Sequence, residues 1–170
     1  HSRAANKISK LIRQEKFEVA ERECISRIQK EPFFYYQLSV SQFQLNKFSE
    51  AANSAQNFLK LEASQNLSLP EYYFLANAVT IYAESLYRAK KFNELTQVEE
   101  ILFNVSREKE AKPRILYANL FLGTAFIHEG KYLEAIYYLS LTKYYAGIDG
   151  YNQIEEYASS ILSKLENTLS

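Results

Sequence analysis

Lys131-Tyr132-Leu133-Glu134-Ala135 is the stretch that decides the fold, because the chain spells it four times. The other copies are Lys16-Phe17-Glu18-Val19-Ala20, Lys47-Phe48-Ser49-Glu50-Ala51 and Lys91-Phe92-Asn93-Glu94-Leu95. Each runs from a lysine through an aromatic to a small or apolar residue three further on. Each lies between two stretches whose apolar residues recur at three and four, the period of a helix. This predicts an array of two-helix units. Such units cannot bury their apolar faces alone, so they stack, and their usual work is to bind other chains rather than to catalyse.

Outward from these points the helices fall into place. The first runs roughly from Ala4 to Gln14 and the second from Phe17 to Lys30, the latter with Ala20, Cys24, Ile25 and Ile28 as its inward stripe. Pro32 opens a third helix to Leu45, and Phe48 to Ala63 forms a fourth, with Ala51, Ala52, Ala55, Phe58, Leu59 and Leu61 inward. Ser64 to Leu69 reads as a loop. Pro70 to Ala89 is the fifth helix and Phe92 to Ser106 the sixth. The charged run 107–112 extends the sixth or links it onward to Pro113, which starts the seventh. The seventh ends at Gly130, a C′ glycine. The eighth, Tyr132 to Tyr145, stops at Gly147, and a last helix from Tyr151 to Leu169, capped by Asp149 or Asn152, covers the open end.

Composition narrows the function. Lys and Arg number 20 and so do Asp and Glu, so net charge is zero, against the excess of positive charge that a general nucleic-acid or membrane-surface binder carries. No apolar run approaches the ~20 residues of a membrane span. The single cysteine, Cys24, excludes an internal disulfide framework, points to a reducing compartment, and sits where a small core residue is wanted. An intracellular location follows, cytoplasmic before nuclear. There is no Gly-rich phosphate loop, HExxH or CxxC. Glu99-Glu100 and Glu155-Glu156 are adjacent, so they splay round a helix rather than converge as an acid/base pair. No catalytic residue, cofactor or metal ligand is expected. The chain begins at His1 and lacks methionine, so it reads as a piece of a longer protein, one helical domain over residues 3–170.

Leu122, Gly123, Phe126, Gly130, Tyr132, Ala135 and Leu139 stand at the large, small, large, turn, aromatic, small and large positions of a known unit. Tyr35, Leu38, Ser39, Phe48, Ala51, Ala55 and Phe58 give a second copy, and Tyr82, Ala83, Leu86, Phe92 and Leu95 a third, with Leu95 where alanine is usual. Leu11, Phe17, Ala20, Cys24, Ile28 and Pro32 give a divergent first. The chain thus resembles the tetratricopeptide repeat over nearly its whole length. It departs in spacing: the phrase recurs after 31, 44 and 40 residues (Phe17, Phe48, Phe92, Tyr132) rather than at a steady 34. The resemblance implies an all-α superhelical solenoid of about four helix pairs plus a C-terminal capping helix.

It also implies a groove lined by the first helix of each pair. In the third pair that face carries Asn77, Thr80, Glu84, Tyr87 and Arg88. In the fourth it carries Tyr117, Leu120, Thr124, Ile127 and His128, with Asn119 close by, and in the second Phe33, Tyr36, Val40 and Phe43. A peptide or helix held there would meet apolar contacts, with amide and guanidinium groups on its backbone or a carboxylate. The bland reading leaves Asn77 and Arg88 solvated and packs Phe33 and Phe43 on a neighbouring repeat. The family's clamp for chaperone tails is not implied, since Ala5, Ser9, Tyr36 and Val40 occupy its Lys and Asn positions.

The resulting expectation is a non-catalytic interaction module, a scaffold or adaptor within a larger protein or complex, whose partner is a protein or peptide. The alternative is a regulatory domain that senses a short signalling peptide, as in bacterial peptide-sensing regulators. A weaker third reading is an enzyme accessory domain. The tyrosine-rich eighth helix (Tyr137, Tyr138, Tyr144, Tyr145) offers two readings, self-association or packing of these rings beneath the last helix, and nucleic acid is not expected to bind this domain.

Overall fold

A computed structural model describes residues 2–28, 30–62, 69–106 and 115–170. Among these there are ten helices and no strand. They are α1 (Arg3–Arg13), α2 (Phe17–Ile25), α3 (Phe33–Gln44), α4 (Phe48–Glu62), α5 (Leu69–Arg88), α6 (Phe92–Thr96), α7 (Glu99–Ser106), α8 (Leu116–His128), α9 (Tyr132–Asp149) and α10 (Asn152–Leu169).

The repeated phrase marks one turn made four times. Two residues before each aromatic, Glu15, Asn46, Lys90 and Gly130 have φ between 58° and 74°. The amide of each donates to the carbonyl three residues back, and the amide of the following lysine donates five back: Lys16 to Leu11, Lys47 to Gln42, Lys91 to Leu86 and Lys131 to Phe126, all at 2.9 Å. This paired bond with a left-handed residue is the Schellman stop of a helix. The lysine then begins the next helix, its carbonyl accepting from Ala20, Ala51, Leu95 or Ala135. Those four residues are all fully buried. The phrase recurs because its lysine and aromatic restart the chain after an enforced stop and its last residue turns inward.

Packing runs in chain order from α1 to α5, each helix on the next. Helix α5 then touches α6, α7 and α8, α8 packs on α9, and α9 on α10. The first helices of the pairs also meet one another, α1 on α3, α3 on α5 and α5 on α8. Close approach depends on small residues. A Cβ at Gly123 of α8 would lie 2.8 Å from Leu139 Cγ of α9, nearer than real atoms come. Ala83 and Ser39 hold the corresponding place in α5 and α3, both fully buried. Polar ties fix the register: Gln37 Nε2 donates to the Ala5 carbonyl at 2.7 Å and Ser9 Oγ at 2.9 Å, Ser54 Oγ donates to Gln42 Oε1 at 2.7 Å, and Lys47 Nζ pairs with Glu21 Oε1 at 2.8 Å.

Several expectations need correction. The second helix ends at Ile25, and Ile25, read as inward, is 54% exposed, as is much of Leu61. The sixth helix is two: Gln97 and Val98 make three-residue-back bonds to Glu94 and Leu95, a tightened turn that separates α6 from α7. It falls just after Leu95, the one copy whose inward residue is not alanine. The eighth helix does not stop at Gly147 but runs to Asp149 and stops at Gly150, where φ is 77°. A Cβ at Gly147 would stand 3.3 Å from the carboxylate of Glu155 on α10, so this glycine is a contact point rather than a stop. Neither Asp149 nor Asn152 caps α10. Tyr151 takes that position without a side-chain bond. The expected loop before Leu69, the charged run 107–112 and the start at Pro113 lie outside the described residues.

Candidate partner-binding face

The face expected to bind is built on α3, α5 and α8, the touching first helices. On α5, Asn77 Nδ2 donates to Tyr36 Oη of α3 at 3.2 Å, so the amide joins two pairs instead of standing alone. Burial raises the pKa of the Tyr36 hydroxyl and the bond from Asn77 partly offsets this. Tyr36 and Phe33 pack on Phe74 at 5.1 and 5.0 Å, which makes the α3 end of the face a closed aromatic cluster. Phe33 is buried there, as the bland reading had it. Thr80 and Thr124 each return a hydroxyl proton to the carbonyl four residues back, Ala76 and Leu120, at 2.9 Å. Asn119 is buried inside α8 and offers nothing outward.

The C-terminal turns of α5 and α8 present the charged groups. The Arg88 guanidinium lies over the ring of Phe48, 5.3 Å from its centre, and 3.8 Å from the Glu84 carboxylate. The Glu84 carboxyl is raised above the ordinary range by burial, and Arg88 lowers it only in part. One pair further on, the His128 ring stacks on Phe92 with centres 4.1 Å apart and planes 9° from parallel. Arg88 and His128 occupy the same place in their pairs, four residues before Phe92 and Tyr132. Each lies on the aromatic that follows the preceding turn. Tyr87 packs between Phe92 at 5.7 Å and Phe121 at 5.0 Å, and exposed Tyr117 stacks on Phe121 at 6.4 Å.

This arrangement offers two flat nitrogen-bearing groups on aromatic supports, with Arg88 half exposed. Such supported groups favour carboxylates, carbonyls and aromatic side chains. Of the residues expected on this face, the structure joins Asn77 to Tyr36, Glu84 to Arg88 and Tyr87 to the neighbourhood of His128. It does not bring Asn119 to the surface. Periodicity within one helix placed these residues on a face. It missed their supports, which come from a neighbouring pair, although the shared spacing of Arg88 and His128 from the next aromatic was a signal for them.

A second opening was not foreseen. A polar cleft of about 500 Å³ lies between α4, α5 and α6, with Asn53, Gln56, Tyr82, Lys91, Glu94 and Gln97 among its lining. The Cys24 thiol lies in neither place. It is fully buried, and burial together with Glu23 and Glu21 pushes its pKa up to about 12. A thiol so held stays protonated and makes a poor nucleophile. Among the described residues no three His, Cys, Asp or Glu side chains gather in a way that would hold a metal ion, and no helix is long and apolar enough to cross a membrane.

No family model matches the chain, and no curated protein matches its sequence.

Proposed function

We propose that the chain is a tetratricopeptide-like superhelical solenoid that serves as a non-catalytic scaffold or adaptor, holding a peptide or helix of a partner protein. Four equal turns, small residues at the close contacts and first helices that touch in succession support the solenoid reading. The single observation that carries the binding reading is the pair of supported groups, Arg88 on Phe48 and His128 on Phe92. Their repetition at one spacing suits a ligand that runs along the array. A partner segment with acidic or aromatic side chains fits best. The Glu84 carboxylate stands 3.8 Å from Arg88, and the guanidinium is half exposed, which leaves its outer donors open to an incoming carboxylate.

The test is affinity capture from source-cell lysate by the chain and by Arg88→Ala/His128→Ala, read by mass spectrometry. Both substituted side chains are exposed, so the variant should fold. A protein held by the first and lost by the second, with binding that weakens as salt rises, is the expected result. Equal capture by both would overturn the assignment of this face. Loss on Asn53→Arg instead would move the interface to the polar cleft between α4 and α6. Capture of a short peptide and no protein would favour the sensor reading over the scaffold.

A further inference from the structure

Helix α9 carries an apolar stripe on the side turned away from the core. Ala135, Tyr138, Leu139, Thr142 and Ala146 are its buried positions. On the opposite side Leu133, Tyr137, Tyr144 and Ile148 are 78, 58, 62 and 61% exposed. A helix with solvent along one side should be polar there, and a helix apolar all round is normally enclosed. The stripe also has an order that burial inside the chain does not require. Leu133 and Ile148 are equidistant from the midpoint between Ser140 and Leu141, and so are Tyr137 and Tyr144. The row reads the same in both directions: aliphatic, tyrosine, centre, tyrosine, aliphatic.

A row of this kind fits a copy of itself turned end for end. In a two-fold interface residue i meets j and j meets i. With the axis through that midpoint, Leu133 meets Ile148 of the other copy, Tyr137 meets Tyr144, and Ser140 meets Leu141. Lys131 and Asp149 lie on the flanks of the helix, well round from the stripe, so the stripe itself carries no charge. The nearest other charges, Glu134 and Lys143, do not face their own copies in this register. The area is adequate. Four large exposed side chains offer at most roughly 600 Å² per copy, or about 1,200 Å² for the pair when fully covered, the lower end for a stable interface. The helix, 18 residues long, extends about 27 Å, which is room for the whole row.

We infer that the outer face of α9 is a docking surface for a second copy of this chain, joined antiparallel about a two-fold axis between Ser140 and Leu141. The surface is separate from Arg88 and His128, so it stands or falls independently of the proposed binding face.

The test is the mass in solution by light scattering and sedimentation, at about 100 μM, well above the micromolar weak end of the range for specific interfaces. The chain is expected at twice the monomer mass. Tyr137→Glu and Tyr144→Lys should each give monomers with unchanged helix content, because each puts two charges beside the axis. The double variant Tyr137→Glu/Tyr144→Lys should return to the dimer, since each introduced carboxylate would then face an introduced ammonium group of the other copy. An equimolar mixture of the two single variants should pair for the same reason. Arg88→Ala should leave the mass unchanged. A monomeric parent chain would overturn the inference and assign the stripe to a different protein. A dimer that survives both single substitutions would place self-association elsewhere, and failure of the double variant to pair would overturn the antiparallel register.

Discussion

Helices α4 and α9 follow the same turn and bury the same kind of stripe, yet their outer faces have opposite character. Ala51, Ala52, Ala55, Phe58 and Leu59 are buried in α4, and Ala135, Tyr138, Leu139, Thr142 and Ala146 in α9. Outside, α4 shows Ser49, Glu50, Asn53 and Lys60, with Leu61 its one large apolar residue, and α9 shows Leu133, Tyr137, Tyr144 and Ile148. A fold requires only the inner match. The outer face is free of that requirement, so its chemistry is where two helices of equal structural role can differ in what they do.

The inner match is the part that breaks most easily. Leu139, fully buried, fills the space above Gly123, while the corresponding positions in the second pair are Ala55 and Ser39. The two pairs divide the volume between their facing positions differently. Leu139→Ala leaves a cavity and should cost about 2–5 kcal/mol. Gly123→Ala pushes a methyl into Leu139 and should cost about 1–3 kcal/mol. The two together should cost less than their sum, because each relieves the other. Chemical denaturation of the four proteins measures this. Strict additivity would mean that the two side chains do not compete for one space.

The turn separates what the amino-acid sequence revealed from what it concealed. The aromatic and the inward residue were legible because they recur in kind. The left-handed residue was legible only at Gly130, since Glu15, Asn46 and Lys90 do the same work without being glycine. Propensity favours glycine there but tertiary packing sets the conformation. Lys90→Gly should therefore stabilise the third turn by about 1 kcal/mol, and Gly130→Ala should destabilise the fourth by a similar amount. Thermal melting of both variants checks the pair, and equal signs would show that the turns are not equivalent. Gly147 misled for the converse reason: it lies inside a helix, where the nearness of Glu155 and not a turn accounts for its small size. The binding face was legible as a row of residues on α5 and α8, but not as supported groups. Phe48 lies under Arg88 and Phe92 under His128 only through the register between pairs, which no single helix period encodes.

Buried ionisable groups sharpen the contrast between inner and outer faces through pH. The Cys24 thiol has its folded pKa raised to about 12 from an ordinary 9.0, chiefly by burial. A raised folded value adds stability that is complete below the unfolded pKa and disappears as pH rises through the folded one. The chain should thus lose stability between about pH 9 and pH 12, and Cys24→Ala, which has nothing to ionise, should lose less over that window. Thiol reagents at neutral pH should label Cys24 only upon unfolding. Prompt labelling of the folded chain would show that the second helix opens.

The smallest expected effect concerns Glu84, because it lies where the structural and the binding roles meet. Its carboxyl is raised above the ordinary range, first by burial and against the pull of Arg88. The charged form is therefore unfavourable in the folded chain. By the same sign rule, its stabilising contribution belongs to pH below the ordinary carboxyl range and fades as pH rises through the raised value. Glu84→Gln should raise the melting temperature at pH 7, by an amount within the ~0–1 kcal/mol typical of half-exposed pairs, and the gain should vanish below about pH 4. The group that this carboxylate faces is Arg88 on the proposed binding face. If Glu84→Gln lowers the melting temperature instead, the pair is a structural tie, and Arg88 is held by it rather than presented to a partner.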